Sequence, residues 1–88
     1  MTKLSEQEVA ARDSEIVLAV QQHHAAKGYG PALRDLRVRN LPLSTIAVRV
    51  DTLVDRGYLA RDGSRSRSLR ATPSGVAFAL AHVSVSKG

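Results

Sequence analysis

The chain has 88 residues, a formal net charge of +5 and no cysteine. At this length about 60–65% of the unfolded surface is buried on folding, so we expect one domain over residues 1–88 with a modest core and frayed ends at 1–4 and 84–88. The composition excludes disulfides and thiolate metal sites. It also excludes a membrane span, which needs about 18 apolar residues. The N-terminal segment lacks the apolar stretch of a secretory signal, which predicts a cytoplasmic protein.

The charge is unevenly distributed along the chain. Residues 1–27 carry three basic and four acidic side chains, whereas residues 28–88 carry ten basic and four acidic ones. A basic segment on a small domain indicates a polyanionic partner. The alternative, in which the arginines only keep the protein soluble, stays open at this point.

The first predicted helix begins at a capping box and ends at a glycine. Ser5 can accept from the backbone N–H of Glu8, whose side chain can bond back to Ser5. The C-terminal end is predicted at Lys27 and Gly28. Apolar residues recur at helical spacing between these ends: Val9, Ile16, Val17 and Val20.

Two further helices follow a Tyr-Gly-Pro breaker. The second is predicted over residues 32–39, with Leu33 and Leu36 facing inward and Asn40 as a left-handed cap. The third is predicted from Ser44, as its N-cap, to about Arg56. It ends at Gly57, and its inward stripe comprises Ile46, Val50 and Leu53.

A β-hairpin and a C-terminal helix complete the predicted α+β fold of three helices, two strands and a last helix. The strands are predicted at residues 58–62 and 68–72, with Leu69 and Ala71 on one face. Thr72 caps the last helix and Pro73 is its first residue. Its predicted apolar face consists of Val76, Ala79, Leu80 and Val83.

The residues offer little for catalysis. His23 and His24 are adjacent and point about 100° apart on a helix, so they cannot chelate one metal together. His82 lies on a distant helix. The sequence contains no nucleophile motif and no phosphate-binding glycine loop. We therefore expect neither an enzyme nor a metal or other cofactor.

Two short helices joined by a tight turn and followed by a hairpin are typical of DNA-binding domains. The second helix of such a pair fits the major groove, which is about 12 Å wide. The residues of the third helix that lie outside its buried stripe are candidates for contacting DNA: Ser44, Thr45, Val48, Arg49 and Thr52. Arg49 can bond guanine or phosphate, Thr45 a phosphate or base edge, and Val48 a thymine methyl group. Packing of Val48 against the hairpin is the alternative.

The hairpin segment is rich in arginine. Guanidinium groups at a hairpin tip can contact phosphates or enter a narrow minor groove. The alternative is a solvated loop. The candidate contacts are Arg61, Arg65, Arg67 and Arg70.

Four short segments resemble the N-terminal domain of the LexA repressors: residues 27–31, 33–36, 44–46 and 53–59. They are similar to that family's Lys-Gly-Tyr-Pro-Pro motif, its Ser-Thr-Val at the start of the recognition helix and its Gly-Tyr-(Leu/Ile) before the hairpin. The segment that connects the second strand to the last helix, residues 71–75, is similar to the corresponding segment of MarR-type regulators. The resemblance implies a winged helix-turn-helix fold and binding of double-stranded DNA.

The sequence also departs from the LexA pattern. The turn between the second and third helices is two residues shorter, and Ala47, Val48 and Arg49 replace the family's residues on the recognition helix. The chain has no self-cleaving protease domain. We therefore do not expect this chain to bind the operator sequence of that family. A domain of this size is typical of a phage-encoded or accessory regulator.

These observations predict a sequence-specific DNA-binding protein, a repressor-like transcriptional regulator associated with the nucleoid. The alternatives are a winged-helix module that binds a transcription or repair protein, and a DNA-binding accessory in recombination or replication. A homodimer through the C-terminal helix is expected, because one winged helix contacts too few base pairs to select a genomic site. The alternative is a monomer in which this helix packs on the first helix and buries Phe78.

Overall fold

The computed structural model of the protein describes residues 6–36, 41–62 and 68–82. Within these ranges it is an α+β structure with three α-helices and a two-stranded antiparallel hairpin, which confirms the predicted class. The elements in chain order are α1 (Glu6–Lys27), a 3-10 turn (Leu33–Asp35), α2 (Leu43–Asp55), β1 (Leu59–Ala60), β2 (Arg70–Ala71) and α3 (Pro73–His82). In the described ranges no helix is both long enough and apolar enough to cross a membrane.

One apolar core joins all of these elements. Its buried members are Ile16, Val17 and Val20 of α1, Ile46, Val50 and Leu53 of α2, and Leu36, Leu59, Leu69 and Ala79. The inward stripes predicted for α1 at residues 16–20 and for α2 are confirmed. Each fully buried Ile, Leu or Val contributes about 1.5–3 kcal/mol, so these stripes hold both helices in place.

Helix α1 ends where its glycine predicts. Gly28 has a φ of 81°, in the left-handed region that favours glycine. Its backbone N–H donates to the carbonyl of His24 at 2.8 Å. The predicted cap at Ser5 lies outside the described residues.

The second predicted helix is wrong over its described part. Residues 33–35 form a single 3-10 turn, and Leu36 is extended with φ −91° and ψ 91°. The Asp35 carboxylate accepts the backbone N–H of Ala32 at 3.0 Å, which closes the turn. A segment this short forms few helical hydrogen bonds, and these do not offset the cost of nucleating an α-helix. A single 3-10 turn is enough to bury Leu36. The predicted continuation through 37–40, with the Asn40 cap, lies outside the described residues.

Helix α2 begins two residues earlier than predicted. Its N-cap residue is Pro42, with φ −60° and ψ 150°, so Ser44 lies inside the first turn and is not the cap. The Pro42 carbonyl accepts the N–H of Ile46 at 3.1 Å. A cap position needs no backbone donor, so proline is tolerated there.

The C-terminal end of α2 forms a Schellman motif at the predicted glycine. Gly57 has a φ of 81°. Its N–H donates to the Val54 carbonyl at 3.0 Å, and the N–H of Tyr58 donates to the Leu53 carbonyl at 2.9 Å. These bonds satisfy the last carbonyls of α2 and turn the chain directly into β1.

The hairpin is confirmed, with shorter strands than predicted. Leu59 is opposite Ala71, and Ala60 is opposite Arg70. Leu69 is buried and Ala71 half-buried, whereas Arg70 between them is exposed. This alternation is that of a strand with one face on the core. Residues 63–67, the expected tip, lie outside the described part.

Helix α3 has the predicted cap. The Thr72 hydroxyl accepts the N–H of Gly75 at 2.9 Å and donates to the Gly57 carbonyl at 2.6 Å. Pro73 is the first helical residue. Thr72 therefore starts α3 and ties it to the end of α2.

The inward face of α3 differs from the predicted one. Helix α3 packs against α1, and its buried residues are Gly75 and Ala79. Leu80, predicted inward, is 67% exposed. Phe78 is half-buried and stacks on Tyr58 with ring centroids 4.4 Å apart. Gly75 lies against the backbone of Tyr58, and Ala79 joins the core. Leu80 is about 100° further around the helix than Ala79 and is therefore exposed. Val83 lies outside the described residues.

Candidate nucleic-acid interface

The side of α2 opposite the core forms an exposed face. Ser44, Val48, Asp51 and Asp55 recur at helical spacing on this side, and all four are exposed. Val48 is 60% exposed, which places it in solvent and not against the hairpin in the described structure. We call these four residues the α2 face.

The threonines predicted as contacts lie at the border of the α2 face. Thr45 and Thr52 are half-buried. The Thr52 hydroxyl donates to the carbonyl of Val48 at 3.1 Å, one turn earlier in the helix. Its proton is therefore used within α2, and the oxygen keeps acceptor capacity.

Arg49 is turned toward α1. Its Nε lies 2.9 Å from Asp13 Oδ1 and its Nη2 lies 2.6 Å from Asp13 Oδ2. The Asp13 side chain is 2% exposed and that of Arg49 is 27% exposed. The hydrogen bonds that Arg49 donates to Asp13 raise the pKa of Arg49 and outweigh the lowering by desolvation. Arg49 therefore stays charged and balances a buried carboxylate.

This pair changes what Arg49 can offer to a ligand. The side edge of its guanidinium, Nε with Nη2, is taken by Asp13, whereas Nη1 has no partner among the described residues. Asp13 itself was not among the predicted site residues. Its position between Val9 and Ile16, on the apolar side of α1, is a signal that could have identified it, since a charge in a buried stripe needs a partner.

Arg61 joins the hairpin to α2. It follows β1 directly, and its Nη2 lies 2.6 Å from Oδ1 of Asp51. The side chains are 42% and 63% exposed, respectively. An exposed pair of this kind contributes about 0–1 kcal/mol to stability. Its larger consequence is positional, because it places a hairpin arginine beside the α2 face.

The hairpin is closed on the far side of Arg61. The backbone N–H of Asp62 donates to Ser68 Oγ at 2.9 Å, and Ser68 Oγ donates to the Asp62 carbonyl at 3.1 Å. Of the other predicted hairpin contacts, Arg70 is exposed on β2. Arg65 and Arg67 lie outside the described residues.

The histidines do not converge. His23 Nδ1 lies 3.1 Å from the Tyr29 carbonyl, and its Nε2 lies 3.9 Å from Asp35. His82 contacts Phe78, with ring centroids 4.8 Å apart. Across the described ranges, no group of three histidine or acidic side chains is arranged to hold a metal ion.

A comparison with protein-family models finds no match to the chain, and a comparison with the curated proteins finds no significant match.

Proposed function

We propose that this protein binds double-stranded DNA sequence-specifically and regulates transcription as a winged helix-turn-helix domain. In this proposal α2 is the recognition helix and lies in the major groove by its α2 face. The hairpin is the wing and contacts the flanking backbone. The short 3-10 turn before α2 occupies the place of the first helix of the motif.

The observation that carries the proposal is the division of α2 into two sides. Ile46, Val50 and Leu53 anchor one side in the core, while the opposite side is exposed over the whole helix. A helix of 13 residues is about 20 Å long and about 10–12 Å wide, dimensions that suit the major groove. Arg61 of the hairpin lies against Asp51 on this exposed side.

Each α2 residue then has a contact suited to its chemistry. Ser44 and Thr45 lie in the first turn, where their hydroxyls and the positive helix end favour a phosphate or a base edge. Val48 suits a thymine methyl group. Thr52 can accept through its oxygen. Arg49 has a reduced role, because Asp13 occupies its Nε side and only the end of the guanidinium, at Nη1 and the second Nη2 proton, remains for a phosphate or guanine.

The hairpin supplies the non-specific part of the affinity. Arg70 is exposed on β2, and Arg61 lies beside α2. Arg65 and Arg67 stay proposed phosphate or minor-groove contacts. The segment from residue 28 onward carries ten basic against four acidic side chains, which favours a polyanion over a neutral partner.

A protein-binding winged-helix module is the second candidate, and two observations favour it. Arg49 and Arg61 are both bonded to aspartates. Leu80 is the most exposed large apolar side chain of the described ranges. A role as a DNA-binding accessory in recombination or replication would use the same interface as a regulator.

Selection of bound duplexes from a random pool tests the proposal, with Val48→Glu as the interface variant. Gln21→Glu is the matched control, because it adds the same charge to an exposed position of α1. We expect the wild-type chain and Gln21→Glu to enrich one sequence and Val48→Glu to enrich none. Equal binding by all three proteins would contradict the placement of α2, and no binding by the wild-type chain would favour the protein-binding candidate.

A further inference from the structure

The α2 face carries two carboxylates, and Asp51 is the one nearer to Val48, where the face would meet DNA. Asp51 lies one turn beyond Val48, and its side chain is 63% exposed. A like charge placed against a polyanion lowers affinity unless a cation offsets it or a specific bond uses it. The proposed function therefore requires a role for this side chain.

Arg61 supplies the offsetting cation. Its Nη2 donates to Asp51 Oδ1, so the pair carries no net charge and the carboxylate is held in one orientation. The other oxygen, Oδ2, has no partner in the part of the chain that the structure describes. The arrangement leaves one acceptor atom available on a neutralised pair.

The major groove offers few donors to such an acceptor. Guanine presents only the acceptors N7 and O6, thymine presents O4, and adenine places its N6 donor beside the N7 acceptor. Cytosine presents its N4 amino group without an adjacent acceptor on the same base. We infer that Asp51 is a specificity-determining residue that accepts a hydrogen bond from cytosine N4, while Arg61 neutralises and orients it; the inference rests on the proposed function.

The helix geometry also fixes where that cytosine lies. Three residues separate Val48 from Asp51, which is about 4.5 Å along the helix. Base pairs are about 3.4 Å apart. A cytosine bonded by Asp51 is therefore within about one or two base pairs of the thymine that Val48 contacts.

The test compares base preferences of the wild-type chain, Asp51→Asn and Glu8→Gln by selection from random duplex DNA. Glu8 is the control because it is exposed on α1, outside the α2 face, and its amide variant makes the same charge change. Since Asp51 and Arg61 are exposed, their separation costs about 0–1 kcal/mol and both variants should fold; unfolding curves check this.

We expect the wild-type chain to prefer cytosine at one position by about 5- to 150-fold. Asp51→Asn should lose this preference and gain adenine, which an amide bonds at N6 and N7. Glu8→Gln should retain the cytosine. If Asp51→Asn changed the affinity equally for all sequences, the cytosine contact would be wrong, whereas the proposed function would stand. No binding by the folded wild-type chain would overturn the proposed function and this inference with it.

Discussion

The carboxylate of Asp13, 2% exposed in α1, receives two hydrogen bonds from Arg49 of α2 across 36 residues of sequence. This contact fixes the orientation of α2 against α1. It also gives Arg49 a structural task that any test of DNA contact must separate from binding.

Arg49→Ala should lower the free energy of unfolding by about 3 kcal/mol, because it leaves a buried carboxylate without its partner. The value is at the lower end for buried pairs, since Arg49 is partly exposed and water can reach the site. Chemical denaturation measures it. The double variant Asp13→Leu with Arg49→Met should recover most of the loss. An Arg49→Ala protein as stable as the wild type would show that the pair contributes nothing.

Substitution of Gly75 or Gly57 by alanine should lower the stability of the protein, for different reasons. A Cβ at Gly75 would collide with the backbone of Tyr58, whereas at Gly57 it would meet no atom. We expect Gly75→Ala to separate α3 from the start of β1 and to cost more than 2 kcal/mol. Gly57→Ala should cost about 1–2 kcal/mol for its left-handed φ. Thermal unfolding compares them, with the exposed Ser74→Ala as the control; equal stabilities would refute the close packing of α3.

Salt should weaken DNA binding steeply. If each chain neutralises about four to six phosphates, log affinity falls with log salt at about −0.9 per phosphate. Arg70→Ala should reduce this slope by about one unit. Lys27→Ala, at the exposed end of α1, should leave it unchanged. The slopes come from titrations at several salt concentrations, and a flat response of the wild-type chain would remove the electrostatic model.

Substitution of Leu80 tests the predicted dimer. The dimer is predicted through the C-terminal helix, with Phe78 as the residue that tests it. Phe78 is half-buried and stacks on Tyr58, so the large exposed apolar side chain of the described α3 is Leu80. Leu80→Glu should convert a dimer to a monomer without loss of stability. Phe78→Ala should instead lower stability, because it removes the stack on Tyr58. Sedimentation at micromolar concentration measures both; a monomeric wild-type chain would contradict the dimer.

The regular parts of the fold could be predicted because their sequence signals are local. The stripe of Ile46, Val50 and Leu53 has helical spacing, and Gly57 and Thr72 have conformations or bonds that their residue types favour. The orientation of Arg49 could not be predicted because its partner is distant in sequence. The inward face of α3 was ambiguous, since residues 75–81 are apolar on every side and offer no polar residue to define it.

An NMR titration of the protein with its selected duplex tests whether α2 is the DNA-binding helix, because it locates the bound DNA on the surface. We predict that amide shifts concentrate at the start of α2, around Ser44, Thr45 and Val48, and on the hairpin at Arg70. Residues around Leu80 on α3 should be unaffected. Shifts confined to α3, with α2 unchanged, would contradict the assignment of α2 as the DNA-binding helix.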